Sequence, residues 1–328
     1  MKKTAQSPSN IAFIKYWGKT DSKTRVPTNN SVSMCLSNVY STCTVEFDEK
    51  YQQDDVNFID EAVVKEKELK RIYQVIERVR AKAGIITKAK VVTKNNFPKA
   101  AGIASSASGL SAVSMATAGA AGLNLDKKEL SKLSRLASGS ACRSIPDGFV
   151  EWEAGNSPEN SYAKTIFEPG WWKIADVIAV TDKKMKKISS TSGHKIADTS
   201  PFYKTRLAGI PDKIAKLKQA IKEKDFTAFG QILEQEALNM HAVCLTSTPA
   251  VIYWSGATMN IISTIVSARE ENIVEAYFTI DAGSSVHVIC QQQDAAKVTK
   301  LLQAVDGVTK IYSNQPGIGA RFIENHLF

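Results

Sequence analysis

The stretch from Asn96 to Gly109, Asn-Phe-Pro-Lys-Ala-Ala-Gly-Ile-Ala-Ser-Ser-Ala-Ser-Gly, constrains this chain more than any other, because it marks where a strand must stop and a closely packed helix begin. Val91, Val92 and Thr93 lead in with β-type residues, Pro98 and Gly102 punctuate a loop, and from Ser105 onward the Ala/Ser/Gly/Leu pattern predicts a tightly packed helix. Small side chains let loop N–H groups approach an anion, and the free N–H groups and positive dipole end of the new helix face it. This predicts a phosphate cradle. It is not a Walker loop, because no Gly-Lys-Ser/Thr closes it. Runs of Ala, Gly and Ser also serve close helix packing alone, and taken by itself the segment is open to both readings.

With 328 residues the chain exceeds one average domain, so one large or two moderate lobes with a substantial core are expected. An excess of 42 Lys and Arg over 33 Asp and Glu suits polyanionic small molecules as well as nucleic acid. No aromatic-interleaved basic motif or zinc-finger spacing is present, which argues against nucleic acid. Cys35, Cys43, Cys142, Cys244 and Cys290 are odd in number and include no Cys-x-x-Cys, so they are expected to be reduced and unpaired. Asn10 and Lys15 interrupt any apolar core behind Met1-Lys2-Lys3; with no targeting peptide or membrane span in view, the expected location is cytoplasmic.

Residues Ser7 to Lys19 read as a short apolar strand carrying Asn10, Lys15, Tyr16 and Lys19, whose lysines could simply snorkel to solvent. Pro27 to Met34 leads from a polar turn into another strand, and Thr42 to Phe47 is its continuation or a hairpin partner. A helix is expected from about Val63 to Ala83, with Ile72, Val75, Ile76 and Val79 on one face and charged residues on the other. Gly122 is a stop for the small-residue helix, and the Asp126/Glu129 spacing starts another helix running to about Ala137. That helix delivers Ser138-Gly139-Ser140-Ala141-Cys142-Arg143-Ser144, either an anion-holding loop with a bidentate arginine or a capping cluster with a surface arginine. Trp171 to Val180 reads as a buried strand, and the lysines between Lys183 and Lys187 as a solvated face. Ile214 to Met240 and Tyr253 to Glu271 look mostly helical. Ala276 to Ile280 and Val286 to Cys290 form a hairpin that puts Asp281 at its mouth, where it could be only a turn residue.

Ser9 to Lys19, Phe97 to Ser108, Gly139 to Ser144 with Gly148 to Trp152, and Phe278 to Gly283 occur in this order, and together they resemble the diphosphomevalonate decarboxylase family, a branch of the GHMP kinase superfamily. The resemblance covers nearly the whole chain. It implies an α+β protein of the GHMP kinase fold: an N-terminal ribosomal-protein-S5-like lobe (1–185) with a mixed sheet and left-handed crossover, a C-terminal ferredoxin-like lobe (186–328), and the active site in the cleft between. The implied reaction is ATP-dependent decarboxylation of mevalonate 5-diphosphate to isopentenyl diphosphate by way of 3-hydroxyl phosphorylation, with Mg2+. Relatives of this kind are usually homodimers.

By the same resemblance Asp281 orients or deprotonates the 3-hydroxyl, Arg143 holds the substrate carboxylate, and Lys15 shares their wall. Asn10, Tyr16, Lys19, Ser138, Ser140 and Ser190 are implied around the substrate; Thr93, Ala101, Gly102, Ala104, Ser105 and Ser106 around the ATP, with Ser105 also toward the metal. Ser284-Ser285 replaces a common Pro-Asn, Pro146-Asp147 places an anionic side chain near the expected carboxylate site, His194 stands where Met is common, and Thr191 where some relatives have a basic residue. Relatives of the same fold act on mevalonate 5-phosphate or phosphorylate without decarboxylating. Asp281 together with Lys15, Lys19 and Arg143 favours the full decarboxylase over these and over a non-catalytic nucleotide- or RNA-binding module.

Overall fold

A computed structural model of the chain describes residues 1–59, 66–97, 105–181 and 188–328. Two sheets organise it. The first follows the order β11-β1-β2-β4-β3, with β5 paired to β2 and β6 to β5. Its members are β1 (Lys2–Ile14), β2 (Ser31–Asp48), β3 (Asp55–Phe58), β4 (Lys88–Asn95), β5 (Phe149–Trp152), β6 (Ala163–Phe167) and β11 (Arg321–Ile323). Among the described strands only β3 and β4 run parallel, so the sheet is mixed. β2 settles the alternative left by the sequence: Thr42 to Phe47 continues one strand of 18 residues, whose first part pairs with β5 and whose second part pairs with β4.

Helices α1 (Glu66–Ala83), α2 (Ser105–Ala120) and α3 (Lys127–Ala137) cover one face of this sheet. On α1 the residues Ile72, Val75, Ile76 and Val79 are buried against Val45, Phe47 and Val91 of the strands, as the periodicity predicts. Asp126 caps α3 by accepting from the Glu129 N–H. α2 is buried on nearly every side. Its hydroxyls are accommodated locally, Ser111, Ser114 and Thr117 donating to the carbonyls four residues back. Ser111 also meets Ser7, and Ser108 meets Ser9 and Ser41, so the helix lies directly on β1 and β2. The small-residue run therefore does provide close packing, and it does so while starting a helix at Ser105.

The second sheet has the order β10-β7-β9-β8, all antiparallel, built from β7 (Ile174–Thr181), β8 (Ala276–Thr279), β9 (Val286–Gln291) and β10 (Val308–Asn314). With helices between β7 and β8 and α8 (Ala295–Gln303) between β9 and β10, this is the ferredoxin-like arrangement. The expected single helical region divides into α5 (Tyr203–Glu223) and α6 (Phe226–Thr246), because Lys224 turns left-handed and Asp225 caps anew. α4 (Ser190–Ile196) precedes them and α7 (Gly256–Glu270) follows. The residues 182–187, which hold the expected boundary at 185 and the lysine run, are outside the described set; β7, ending at Thr181, already belongs to the second sheet. A shared core joins the sheets, with Ile11 and Phe13 of β1 packed among Ile178, Phe229, Tyr277 and Ile289. The Phe13 and Phe229 rings meet edge to face at 4.9 Å.

A buried ionic knot ties α5 and α6 to the end of β1. Glu236, fully buried, accepts from Arg206 and from Lys213 Nζ at 2.9 Å, while Arg206 also donates to the Lys15 carbonyl at 2.8 Å. Removing the carboxylate leaves cations without a counter-charge in the interior, so Glu236→Ala is expected to lose about 3–5 kcal/mol of stability. Urea unfolding of the two proteins checks this, and coincident midpoints would remove the knot from the stabilising contacts.

Candidate active site

The end of β1 explains why a lysine can stand inside an apolar strand. Register shifts between Pro8 and Asn10 and between Ala12 and Ile14 break the alternation, and the chain leaves the sheet as Lys15-Tyr16-Trp17-Gly18-Lys19. Lys15 does not snorkel. It is 1% exposed and donates from Nζ to the Ala12 carbonyl and to Asp281 Oδ1, both at 2.7 Å. Burial pulls its pKa below the ordinary lysine value, against the attraction of Asp281. For Asp281 burial disfavours the charge, but the attraction and hydrogen bond of Lys15, with His287 and Arg143 behind them, outweigh it and leave the pKa below the usual carboxylate value.

Arg143 comes from the short 3-10 turn Gly139–Ser144 after α3. It is not a surface arginine: at 3% exposure it donates from Nε to Asn10 Oδ1 and from Nη1 to Ser31 Oγ, each at 3.1 Å, beside the Trp152 ring. Asn10 spends its amide on Ser144 Oγ at 2.8 Å and the Ser140 carbonyl at 3.2 Å. It therefore stands behind Arg143, outside the cleft lining, where the resemblance put it on the substrate.

The cleft itself is a cavity of about 180 Å³ to which Lys15, Arg143 and Asp281 all contribute. Tyr16, Lys19, Ser138, Ser140, Ser190, Ser105 and Ser106 also line it, the last two from the first turn of α2. Two arginines not singled out from the sequence complete the basic wall. Arg25 lies in the loop after β1 with Nε on the Leu136 carbonyl at 3.0 Å, and Arg71 extends from α1 to Thr191 Oγ1 at 3.0 Å. Arg71 belongs to the charged face that periodicity assigns to solvent, so only the placement of α4 beside it reveals its role. Lys19 is pulled down to about 8 by burial and by Arg25, Arg71, Lys195 and Lys67. The Tyr16 hydroxyl is buried with no partner among the described residues.

Among the described residues this cationic pocket holds a single, paired carboxylate, and the two halves of the chain match known domains. The model of the "Diphosphomevalonate decarboxylase-like N-terminal domain" matches residues 7–163, and that of the "Mevalonate 5-diphosphate decarboxylase C-terminal domain" matches residues 176–318. The chain belongs to the diphosphomevalonate decarboxylase family. The Candida albicans diphosphomevalonate decarboxylase is 34% identical over 90% of this chain and 86% of its own length. The Saccharomyces cerevisiae enzyme is 32% identical over 98% of this chain and 84% of its own. Among solved structures, mevalonate diphosphate decarboxylase from Staphylococcus aureus superposes with a TM-score of 0.93 at 35% identity, over 98% of both chains. A structure described as a complex with MVAPP, AMPPCP and magnesium gives 0.92 at 35% identity over 99% of both chains. These matches place the chain in the GHMP kinase fold, as the four motifs implied.

Within this decarboxylase scaffold the remaining expected residues divide. Thr93 is buried in β4, facing Cys43 of β2 and Phe58 of β3, and does not line the cleft. Ala101, Gly102 and Ala104 lie outside the described residues. Asp147, expected to bring a negative charge near Arg143, turns away instead: it pairs with Lys127 and accepts from the Gly319 N–H at 2.7 Å. Ser284 is held by Thr181 Oγ1 at 2.8 Å and, through its carbonyl, by Thr258 Oγ1 at 2.7 Å, which anchors the loop beyond Asp281 without a proline.

Since burial is the largest influence on Asp281 and Lys15 its main counterweight, Lys15→Met is expected to move the carboxyl from below to above the usual carboxylate value, so that it takes up its proton at higher pH. Carbon-13 NMR titration of the carboxyl measures this. A pKa that stays low would show that Arg143 and His287 suffice.

Proposed function

We propose that this protein catalyses the ATP-dependent decarboxylation of mevalonate 5-diphosphate to isopentenyl diphosphate, with release of ADP, phosphate and CO2. The observation that carries the reading is the Lys15–Asp281 pair at 2.7 Å, set in one cleft with Arg143. A tertiary hydroxyl is a poor leaving group. Asp281, kept ionised by Lys15, takes the proton from the 3-hydroxyl as that oxygen is phosphorylated. The C–O bond to the new phosphate then breaks, the C–C bond to the carboxylate breaks with it, and the released electron pair becomes the double bond. Arg143, preset by Asn10 and Ser31, holds the carboxylate in line for departure. Lys19, Arg25 and Arg71, with the hydroxyls of Ser138, Ser140, Ser190 and Thr191, receive the diphosphate end.

The residues present fit a magnesium nucleotide. Ser105 and Ser106 open a 16-residue helix with no acidic residue in its first turn, which favours phosphate there. No group of three or more potential ligating side chains occurs among the described residues, so Mg2+ would be held chiefly by nucleotide phosphates, with Ser105 and Asp281 as the protein oxygens at hand. The ion supplies charge neutralisation during phosphoryl transfer. A relative described in complex with MVAPP, AMPPCP and magnesium supports this ligand set. A homodimer and a cytoplasmic location belong to the same reading; no helix among the described residues is long and apolar enough to cross a membrane.

The test is release of ADP and of CO2 measured together with mevalonate, its 5-phosphate and its 5-diphosphate. Both products appearing chiefly with the 5-diphosphate supports the reading, whereas ADP without CO2, or preference for the 5-phosphate, replaces it with a sister activity. Asp281→Asn is expected to fold and bind ATP while turnover falls by about 10²- to 10⁴-fold. Near-parent turnover in that variant would take the proton-accepting role away from Asp281.

A further inference from the structure

His194 has no part in the mechanism above, yet its ring is one of the most closely defined elements of the cleft. It lies between two aromatic rings, its centroid 4.2 Å from that of Tyr16 and 4.5 Å from that of Trp17, tilted by 35° and 33° respectively. Gly193 lets α4 come this near: a Cβ there would stand 2.7 Å from the Trp17 ring and 2.9 Å from the Tyr253 hydroxyl. The backbone N–H of Gly18 donates to His194 Nδ1 at 2.8 Å. Gly18 adopts φ +105°, a left-handed conformation that side-chain-bearing residues avoid, and a Cβ on it would fall 1.8 Å from the Tyr203 hydroxyl.

A backbone N–H can only donate, so Nδ1 must present its lone pair, and in the neutral ring the proton sits on Nε2. A second proton would have to displace the Gly18 contact. Burial, followed by the charges of Lys19 and Arg25 after β1, Arg143 on the 3-10 turn and Arg206 on α5, holds the ring pKa well below its ordinary value. The ring is thus a neutral donor with one polar atom left to offer. No described residue takes the Nε2–H, and His194 forms part of the cleft wall beside Lys19, Ser190 and Thr191. His194 is only partly buried, so this donor is open to an acceptor that enters the cleft. The substrate carboxylate belongs with Arg143, whereas phosphoryl oxygens belong with Lys19, Arg25 and Arg71.

We propose that His194 is a substrate-positioning residue whose Nε2–H donates to a phosphoryl oxygen at the diphosphate end, adding a directed contact without adding charge. The proposal rests on the function proposed above. A neutral donor held between two rings has one direction. It therefore fixes where the phosphoryl group lies among the cationic side chains, while the cations supply the attraction.

The experiment compares the parent, His194→Phe and His194→Gln. Phenylalanine keeps a flat ring between Tyr16 and Trp17 but has no donor, and glutamine restores an N–H near the position of Nε2. His194→Phe is expected to raise KM for the 5-diphosphate by about 10- to 100-fold, the range for losing one hydrogen bond to a charged group. Its kcat and its KM for ATP are expected to stay within about threefold of the parent, with most of the loss recovered in His194→Gln. Nitrogen-15 NMR of the parent should show an unprotonated Nδ1 and a protonated Nε2, with the Nε2–H resonance moving downfield when inorganic diphosphate is added. A KM unchanged in His194→Phe, or an Nε2–H resonance indifferent to diphosphate, would overturn the proposal. Binding of inorganic diphosphate by calorimetry reads the same contact independently of turnover. A parent that releases no CO2 but binds diphosphate more tightly than His194→Phe would sink the functional reading and leave the contact standing.

Discussion

A lysine ammonium held away from water against a carboxylate of the other sheet is the constraint on which the rest of this structure depends. Lys15 leaves the end of β1 and Asp281 sits in the connection between β8 and β9, so the 2.7 Å contact exists only when the two sheets are docked. An unpaired ammonium in the interior would be costly, and the structure surrounds this one with compensation. Nζ has a second acceptor in the Ala12 carbonyl. The backbone of Lys15 is clamped by Asn29, Arg206 and Glu236. The shared core around Phe13 and Phe229 supplies the apolar adhesion that the ion pair does not, which leaves the pair free to serve chemistry.

Charge is distributed in the cleft by the same logic. Among the described residues Lys15, Lys19, Arg25, Arg71 and Arg143 face one carboxylate, Asp281, in the cavity. The three arginines are each tethered to a neutral partner: Arg143 to Asn10 and Ser31, Arg25 to a carbonyl, Arg71 to Thr191. Those tethers orient the donors without neutralising them, so their field stays available to a polyanion. Glu236, behind Lys15, is engaged by Arg206 and Lys213, and Asp147 by Lys127 and the Gly319 N–H.

Much of this was readable along the chain, for reasons that differ from residue to residue. By pattern alone Lys15 could have been a snorkelling lysine, Arg143 a surface arginine and Asp281 a turn residue; the family resemblance is what singled them out. Asn10 was assigned to the substrate by resemblance, and the contact it makes with Arg143 could not be read along the chain because that residue is 133 positions away. Thr93 was carried over with the cradle and proves to be an interior sheet residue. Arg71 was hidden on the polar face of an amphipathic helix, where pattern cannot separate a solvated arginine from one that faces a cleft. His194 was noticed only as a departure.

The linear sequence by itself determined the elements and their caps: the apolar face of α1, the Asp126 cap of α3, the small-residue helix that can lie on serine-bearing strands, and the four motifs that belong to one family. These are consequences of local geometry, because residues a turn or a pleat apart decide them. The tertiary structure alone decided which charges meet, which arginine is buried and which way each polar side chain is satisfied. Burial and pairing depend on residues far apart in the chain: the lysine that periodicity leaves free to snorkel is buried because Asp281, 266 residues later, comes back to meet it.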